Sequence, residues 1–311
     1  AVGHSVDWHA LFPAGGQRVD LPRYAWQRQR YWIAAPTTGA EGLQPRSPTR
    51  GHPLLGLPQT LSTQLNTKWW ETTLDRKHLP WLGDHQVQGA IVFPGAAYLE
   101  MAQSSGIEAL SKDPIAITDV VFSEAMVLSG DTTLSVQTVM TEEQPGLLRF
   151  QVASRIGGAA NGAFVVHARG KVQRSQRGAE PARLDLADLR ARLEADDVAD
   201  AYARLRSMGL EYGPAFQGIL ELWRGPGEAL GRLQLPQAAG SQTAYQFHPA
   251  LLDACFQVVA GAFAGMAELT PWVPVELGSL RLLQPPPSEL FCYVRSTLAG
   301  AESSDRRCVN L

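Results

Sequence analysis

The segment Pro249–Phe263 reads Pro-Ala-Leu-Leu-Asp-Ala-Cys-Phe-Gln-Val-Val-Ala-Gly-Ala-Phe, and it constrains the fold more than any other stretch of the chain. Proline suits the first helical position, where a missing N–H costs nothing. Beyond it nearly every residue is apolar, all the way round the helix and not along one stripe. Such a helix has no face to offer water, so other elements must surround it. Into this apolar cylinder the sequence places Asp253. A buried, unpaired carboxylate is expensive, so the group must stay protonated or find donors. Gln257 stands four residues on, one turn along the same face, where its amide can hold the carboxyl. A backbone group or a buried arginine would satisfy Asp253 equally well.

A second constraint is the stretch His85-Gln-Val-Gln-Gly89-Ala-Ile-Val-Phe-Pro94. It alternates with period two, so Val87, Ile91 and Phe93 are expected to lean into a core from one strand. Pro94-Gly95 ends the strand, and Ala96–Ala102 has the composition of a helix start. A histidine on a strand leading to a helix N-terminus is well placed for acid–base chemistry. Imidazole exchanges a proton near neutral pH, and the free N–H groups of a helix start can polarise a carbonyl. A packed, hydrogen-bonded core histidine would give the same local sequence. Between these two segments lies Gly209-Leu-Glu-Tyr212-Gly213-Pro214-Ala-Phe216-Gln-Gly218, a turn or strand entry with Tyr212 and Phe216 as aromatic anchors.

Around these segments the pattern repeats. Strands are expected at Thr67–Leu74, His85–Phe93, Ile115–Val127, Thr133–Thr141, Leu147–Arg155 and Ala163–Val172, with one helix from about Ala96. A charged stretch follows, in which Leu189, Leu193 and Val198 suggest an amphipathic helix, and Asp185–Asp200 reads as a solvated face. Strands recur at Ile219–Trp223, Ala229–Leu235, Leu280–Leu283 and Phe291–Ser296 around the buried helix. Periodicity thus supports an α+β class: one helix against antiparallel strands, twice over.

The bulk properties exclude several functions. A net charge of −3 over 311 residues implies no nucleic-acid partner and no attraction to a membrane surface. No apolar run is long enough to span a bilayer, and no signal-peptide pattern stands at the N-terminus. Cys255, Cys292 and Cys308 are odd in number and lack metal-ligand spacing, which suits reduced thiols in a cytoplasm. No Gly-rich phosphate loop occurs, so neither nucleotide nor metal is expected. His52, His78 and His167 have no catalytic context, and His248 reads as structural because a helix-opening proline follows it. Trp69, Trp70, Trp81, Trp223 and Trp272 are expected as core or rim aromatics.

In this order, the segments resemble the dehydratase domains of modular type I polyketide synthases. His85…Gly89…Pro94 is similar to that family's catalytic-histidine motif, and Asp253…Gln257 to its catalytic-aspartate motif. Tyr212-Gly213-Pro214-Ala-Phe216 resembles its tyrosine-glycine-proline segment, and His52-Pro-Leu-Leu-Gly56 the usual opening of the domain. Val6-Asp-Trp8 and Leu21–Trp32 resemble the connector that follows an acyltransferase domain, with 34–51 as a flexible linker. The resemblance implies a double-hotdog fold, two bent antiparallel sheets each wrapping a central helix. It divides the chain into a post-acyltransferase segment (1–50), an N-terminal hotdog carrying the histidine (51–174), a linker (175–200) and a C-terminal hotdog carrying the aspartate (201–311). The chain stops at Arg306–Leu311 in what reads as the start or middle of a strand, so the second half is expected to be incomplete.

The activity implied is loss of water from a 3-hydroxyacyl thioester on the phosphopantetheine arm of an acyl carrier protein, with no intrinsic cofactor. His85 would take the C2 proton and a protonated Asp253 would release the 3-hydroxyl. Gln257 and Tyr212 would orient the acid, and the backbone N–H near Gly95 would bind the thioester carbonyl. Gly89, Pro94, Gly213 and Pro214 would be architectural. Carrier protein, neighbouring ketosynthase, acyltransferase and ketoreductase domains, and a second copy in a homodimer are the implied partners. Relatives that shift the double bond, form a cyclic ether or cyclise a polyketone share these motifs, and a silent scaffold that dimerises or gathers carrier protein is the reading from another class.

Overall fold

The computed structural model describes residues 6–16, 51–110, 114–130, 132–157, 162–175, 183–263, 273–296 and 309–310. The chain divides into a short unit, residues 1–43, and a large one, residues 44–311. In the short unit one turn of helix, α1 (Trp8–Leu11), is capped by Asp7, whose carboxylate accepts from the His9 and Ala10 amides. The aromatic and basic stretch 21–32, the linker up to residue 50, Trp272 and Cys308 lie outside the described residues.

The first half of the large unit contains β1 (Pro58–Leu61), β2 (Gln64–Leu74), β3 (His85–Val87), β4 (Ala90–Ile91), α2 (Gly95–Ala109), β5 (Ile115–Phe122), β6 (Leu134–Gln144), β7 (Leu147–Ile156) and β8 (Val165–Arg174). The second contains α3 (Leu186–Arg192), β9 (Glu194–Asp196), α4 (Val198–Ser207), β10 (Leu210–Tyr212), β11 (Ile219–Gly225), β12 (Glu228–Gln234), α5 (Pro249–Ala262), β13 (Glu276–Arg281), β14 (Glu289–Ser296) and β15 (Val309–Asn310). A seven-stranded antiparallel sheet, in the order β1-β2-β6-β7-β8-β5-β13, packs on α2. A five-stranded sheet, β15-β14-β12-β11-β9, packs on α5, and the two helices touch each other. The fold is a double hotdog.

Period two explains the sheets. Along β6, Leu134, Val136, Thr138 and Met140 turn inward while their neighbours do not. Composition explains the helices: eleven of the fourteen residues of α5 are buried, as a helix apolar on all sides requires. Trp70 and Trp81 are core aromatics, and the Trp70 indole N–H donates to Glu108 at 3.1 Å.

The structure corrects three expectations. His85–Phe93 is not one strand. The chain reverses at Gln88 (φ 50°) and Gly89 (φ 77°), making a two-residue hairpin turn of the kind that matches strand twist. Consequently Val87 and Ile91 are only half-buried, and Phe93 alone enters the core. Gly89 serves this left-handed turn and not a close approach, since a Cβ there would meet nothing within 4 Å. Second, 175–200 is not a plain linker: β9 joins the second sheet beside β11. Third, its charged run is not uniformly solvated. The Asp196 carboxylate is nearly covered and pairs with Arg204 and Arg224, while Leu189 and Leu193 are buried against Leu230. The two halves are also laced together. β13, from the second, pairs with β5 of the first, and β10 pairs with β3 so that Tyr212 lies opposite His85.

Candidate active site

His85 opens β3 and Asp253 sits in the second turn of α5, in opposite halves of the fold. Their side chains face each other, His85 Nε2 lying 3.7 Å from Asp253 Oδ1. That separation is too long for a hydrogen bond. On the other side of the ring, Nδ1 lies 2.8 Å from the Val92 carbonyl oxygen, which can only accept. Nδ1 is therefore the protonated nitrogen of the neutral ring, and Nε2 turns a lone pair toward Asp253. The hairpin turn at Gln88–Gly89 makes this possible by bringing Val92 back beside His85, whose own carbonyl accepts from the Val92 amide. Phe216 and Tyr212 pack on the imidazole, with ring centroids at 5.0 and 5.6 Å.

Asp253 is buried, and desolvation pushes its pKa upward. His85 and the hydrogen bond from Gln257 offset this only in part. Gln257 stands where the i+4 spacing puts it. Its Nε2 donates to Asp253 Oδ2 at 2.9 Å and to the Phe216 carbonyl at 3.0 Å. Burial raises the Tyr212 phenol well above its ordinary range, with the Asp253 charge adding to the effect. Tyr212 thus stands in the electrostatic reach of the acid as a neutral phenol.

The expected architectural residues have identifiable work. Pro94 is the N-cap residue of α2, and because proline offers no capping side chain, the N–H groups of the helix start have no side-chain acceptor. Gly95 is wedged there, since a Cβ would lie 3.1 Å from Pro274 Cγ and 3.8 Å from the Phe122 ring. Pro214 opens the short 3-10 turn Pro214–Phe216 that presents Phe216 to both His85 and Gln257. Gly213 lies against Asp84, a residue overlooked in the sequence although it directly precedes the histidine. The Gly213 amide donates to the Asp84 carbonyl at 2.7 Å and the Ala215 amide to Asp84 Oδ2 at 2.8 Å. A Cβ on residue 213 would fall 2.5 Å from Asp84 Cγ and Oδ1.

Two further groups escaped sequence reasoning. Tyr202 on α4 donates to Gln257 Oε1 at 3.2 Å and accepts from the Ile219 amide at 3.2 Å. Its signal was a Val198–Tyr202–Leu205 stripe at helical spacing. Glu100 on α2 is buried in the first core and accepts from His52 Nε2 (2.8 Å), Ser104 (2.8 Å) and the Gln246 and Phe247 amides (2.8 and 2.9 Å). It pins the approach to α5 onto α2. His248 is fully buried, accepts from the Ala250 amide as the cap of α5, and is lowered to about 4 by burial. His167 donates to the Glu124 carbonyl and accepts from Ser154, away from the pair. Cys255 and Cys292 are buried free thiols. Among the described residues no cluster of three or more His, Cys, Asp or Glu is assembled, and no helix is long and apolar enough to cross a membrane.

Two helices cradled by antiparallel sheets, with a histidine from one half facing a buried carboxyl from the other, define an acid–base site at the seam of a double hotdog. The comparisons agree with that class. A family profile described as polyketide synthase dehydratase domain matches residues 52–155, and one described as polyketide synthase dehydratase N-terminal domain matches 180–308. The dehydratase domain from the CurF module of curacin polyketide synthase superposes with a TM-score of 0.73 at 30% identity, covering 79% of this chain and 88% of that one. An inactive CurK dehydratase in which a histidine is replaced by phenylalanine gives 0.75 at 26% identity, over 83% and 95% of the two chains. The phthioceranic/hydroxyphthioceranic acid synthase of Mycobacterium tuberculosis is 34% identical over 97% of this chain, and polyketide synthase GfsE of Streptomyces halstedii is 34% identical over 84%. This chain spans 14% and 7% of the length of those two proteins. The chain belongs to the dehydratase domains of polyketide synthases.

Proposed function

We propose that this chain removes water from a 3-hydroxyacyl thioester, carried on the phosphopantetheine arm of an acyl carrier protein, to give the α,β-unsaturated thioester. The observation that supports it most is the opposed pair itself: a base nitrogen fixed by Val92 and a carboxyl whose pKa burial raises, 3.7 Å apart. His85 Nε2 takes a proton from C2, and that C–H electron pair becomes the C2–C3 π bond. The C3–O bond breaks as Asp253 gives its proton to the departing hydroxyl, which leaves as water. The proton then held by His85 returns to Asp253 and restores both groups. Each group acting as general acid or base is worth about 10²–10⁴-fold in rate. The thioester oxygen would be met by the uncapped N–H groups at Gly95, each such donor contributing roughly 3 kcal/mol to a developing enolate.

The inactive CurK variants, one lacking a histidine and one an aspartate, support a pair of this kind in a relative. Because the similar curated proteins are far longer synthases, carrier protein and the neighbouring ketosynthase, acyltransferase and ketoreductase domains are the partners we propose, with a homodimer in the cytoplasm and no intrinsic cofactor. Residues 1–50 would connect the domain to a preceding acyltransferase.

Intact-mass spectrometry of a carrier protein loaded with a 3-hydroxyacyl group tests the reading. The parent chain should remove 18 Da, a mass fixed by the loss of one water, and His85→Ala and Asp253→Asn should each abolish it. Retained dehydration in either variant would remove that residue from the chemistry. A parent that binds carrier protein without water loss would favour the scaffold.

A further inference from the structure

A chain of hydrogen bonds behind Asp253 begins and ends on groups whose polarity is not in doubt. At one end is the Ile219 backbone amide, which can only donate; at the other is the Phe216 backbone carbonyl, which can only accept. Between them stand Tyr202 and Gln257. Since the Tyr202 hydroxyl oxygen accepts from Ile219, its own proton is free to point at Gln257 Oε1, 3.2 Å away. Gln257 must then turn its NH₂ toward Phe216 and Asp253 Oδ2. The reverse orientation would set the amide oxygen against the Phe216 carbonyl, two acceptors at 3.0 Å, and leave the Tyr202 proton facing a donor. The orientation of a side-chain amide is ordinarily ambiguous, but here both neighbours agree.

We propose that Tyr202 is a positioning residue for the elimination: its hydroxyl locks the polarity of Gln257, which in turn keeps the Asp253 proton on Oδ1. With Oδ2 occupied as an acceptor from Gln257, a protonated Asp253 can carry its hydrogen only on Oδ1, the oxygen that faces His85 Nε2. That is the oxygen from which the leaving hydroxyl must be protonated. The lock lies on α4, outside every motif that drew attention in the sequence, and reaches the acid through one intermediary. Its proposal rests on the dehydratase reading above.

Removing the hydroxyl leaves only the Phe216 carbonyl to fix the polarity of Gln257, and so lowers the cost of a turn about its terminal torsion. In the rotated state its Oε1 accepts from a protonated Asp253, which holds the proton back and favours the neutral acid. Burial, His85 from β3 and Gln257 on its own helix set the titration of Asp253, while Tyr212 from β10, Tyr202 from α4 and Cys255 on the same helix lie within reach of its charge.

Tyr202→Phe keeps the ring. We expect kcat to fall about tenfold with KM held within about twofold, and the alkaline limb of the pH–rate profile to move up. In a Gln257→Leu background the same substitution should change kcat no further, because its intermediary is gone. If Tyr202→Phe folds poorly, 3-fluorotyrosine at position 202 preserves shape, donates more strongly and should move the alkaline limb down. Independent losses in the double variant, or an unmoved limb in both substitutions, would overturn the proposal. The dehydratase reading fails separately, when the parent releases no water or when His85→Ala and Asp253→Asn retain activity.

Discussion

Gly213→Ala adds one methyl group at the tightest contact in the site. The new Cβ would stand 2.5 Å from Asp84 Cγ and Oδ1 and 2.8 Å from Asp84 Cβ, so about 1 Å of movement is needed to reach ordinary contact. The backbone of residue 213 is unexceptional (φ −80°, ψ −177°), so the penalty is steric and not conformational. Two routes offer relief. Swinging the Asp84 carboxylate aside breaks its 2.8 Å bond from the Ala215 amide, a charge-assisted bond worth about 1.5–3 kcal/mol. Pushing the backbone apart instead strains the 2.7 Å bond between the Gly213 amide and the Asp84 carbonyl, and overpacking of this kind costs about 1–3 kcal/mol. Either route predicts a loss of roughly 1–3 kcal/mol of stability, read as a lowered urea midpoint with unchanged slope. Activity should suffer more. Residues 212–216 hold Tyr212 and Phe216 on His85 and the Phe216 carbonyl on Gln257, and a 1 Å misplacement of such groups costs on the order of 10² in kcat. Asp84→Ala removes the atoms nearest the new methyl group, so the double variant should lose at least about 1 kcal/mol less than the sum of the singles. A Gly213→Ala chain with parental midpoint and turnover would show that this contact does not hold the site, and the reasoning would be wrong.

The other predictions concern charge and pH. His248, held near 4 in the fold against 6.5 when unfolded, binds fewer protons when folded; stability should therefore rise with pH from 4 to 6.5, by roughly 3 kcal/mol (2.5 units at about 1.4 kcal/mol each). Asp253 runs the other way, its raised pKa making stability fall as pH climbs above the ordinary carboxylate range. The difference between urea curves of the parent and His248→Asn, which can still cap α5, isolates the histidine; a difference flat between pH 4 and 6.5 would contradict its buried neutral state. Glu100→Gln sets an NH₂ group among four donors and should destabilise the chain by about 2–4 kcal/mol in the same assay, whereas a neutral result would mean that this knot does not tie the halves. Gln257→Leu removes a donor to the Asp253 carboxylate, so the alkaline limb of the pH–rate profile should move up while kcat falls about tenfold; an unchanged limb would argue against contact between the two in solution.

The sequence by itself determined what depends on local geometry. A helix apolar on every side had to be wrapped, and α5 is. The four-residue spacing of Asp253 and Gln257 had to stack them, because a helix turn does so wherever the helix lies. Alternation located β2, β6, β7, β8, β11, β12 and β14 to within a few residues but missed β1 and β9, and motif resemblance named His85 and Asp253 before either had a neighbour. Tertiary structure alone decided what those residues meet. Period two hid the reversal at Gln88–Gly89: the turn pairs Val87 with Ala90 and Gln86 with Ile91, so Val87 and Ile91, in phase along the sequence, fall on opposite faces of the hairpin. The 3.7 Å between His85 and Asp253, the crossing of β13 into the first sheet, the Asp84 cradle under Gly213 and the Tyr202 lock on Gln257 join residues far apart in the chain. Such contacts are written in no local periodicity; they exist because burying two apolar helices back to back brings the polar groups of both halves to one seam, where each must find a partner.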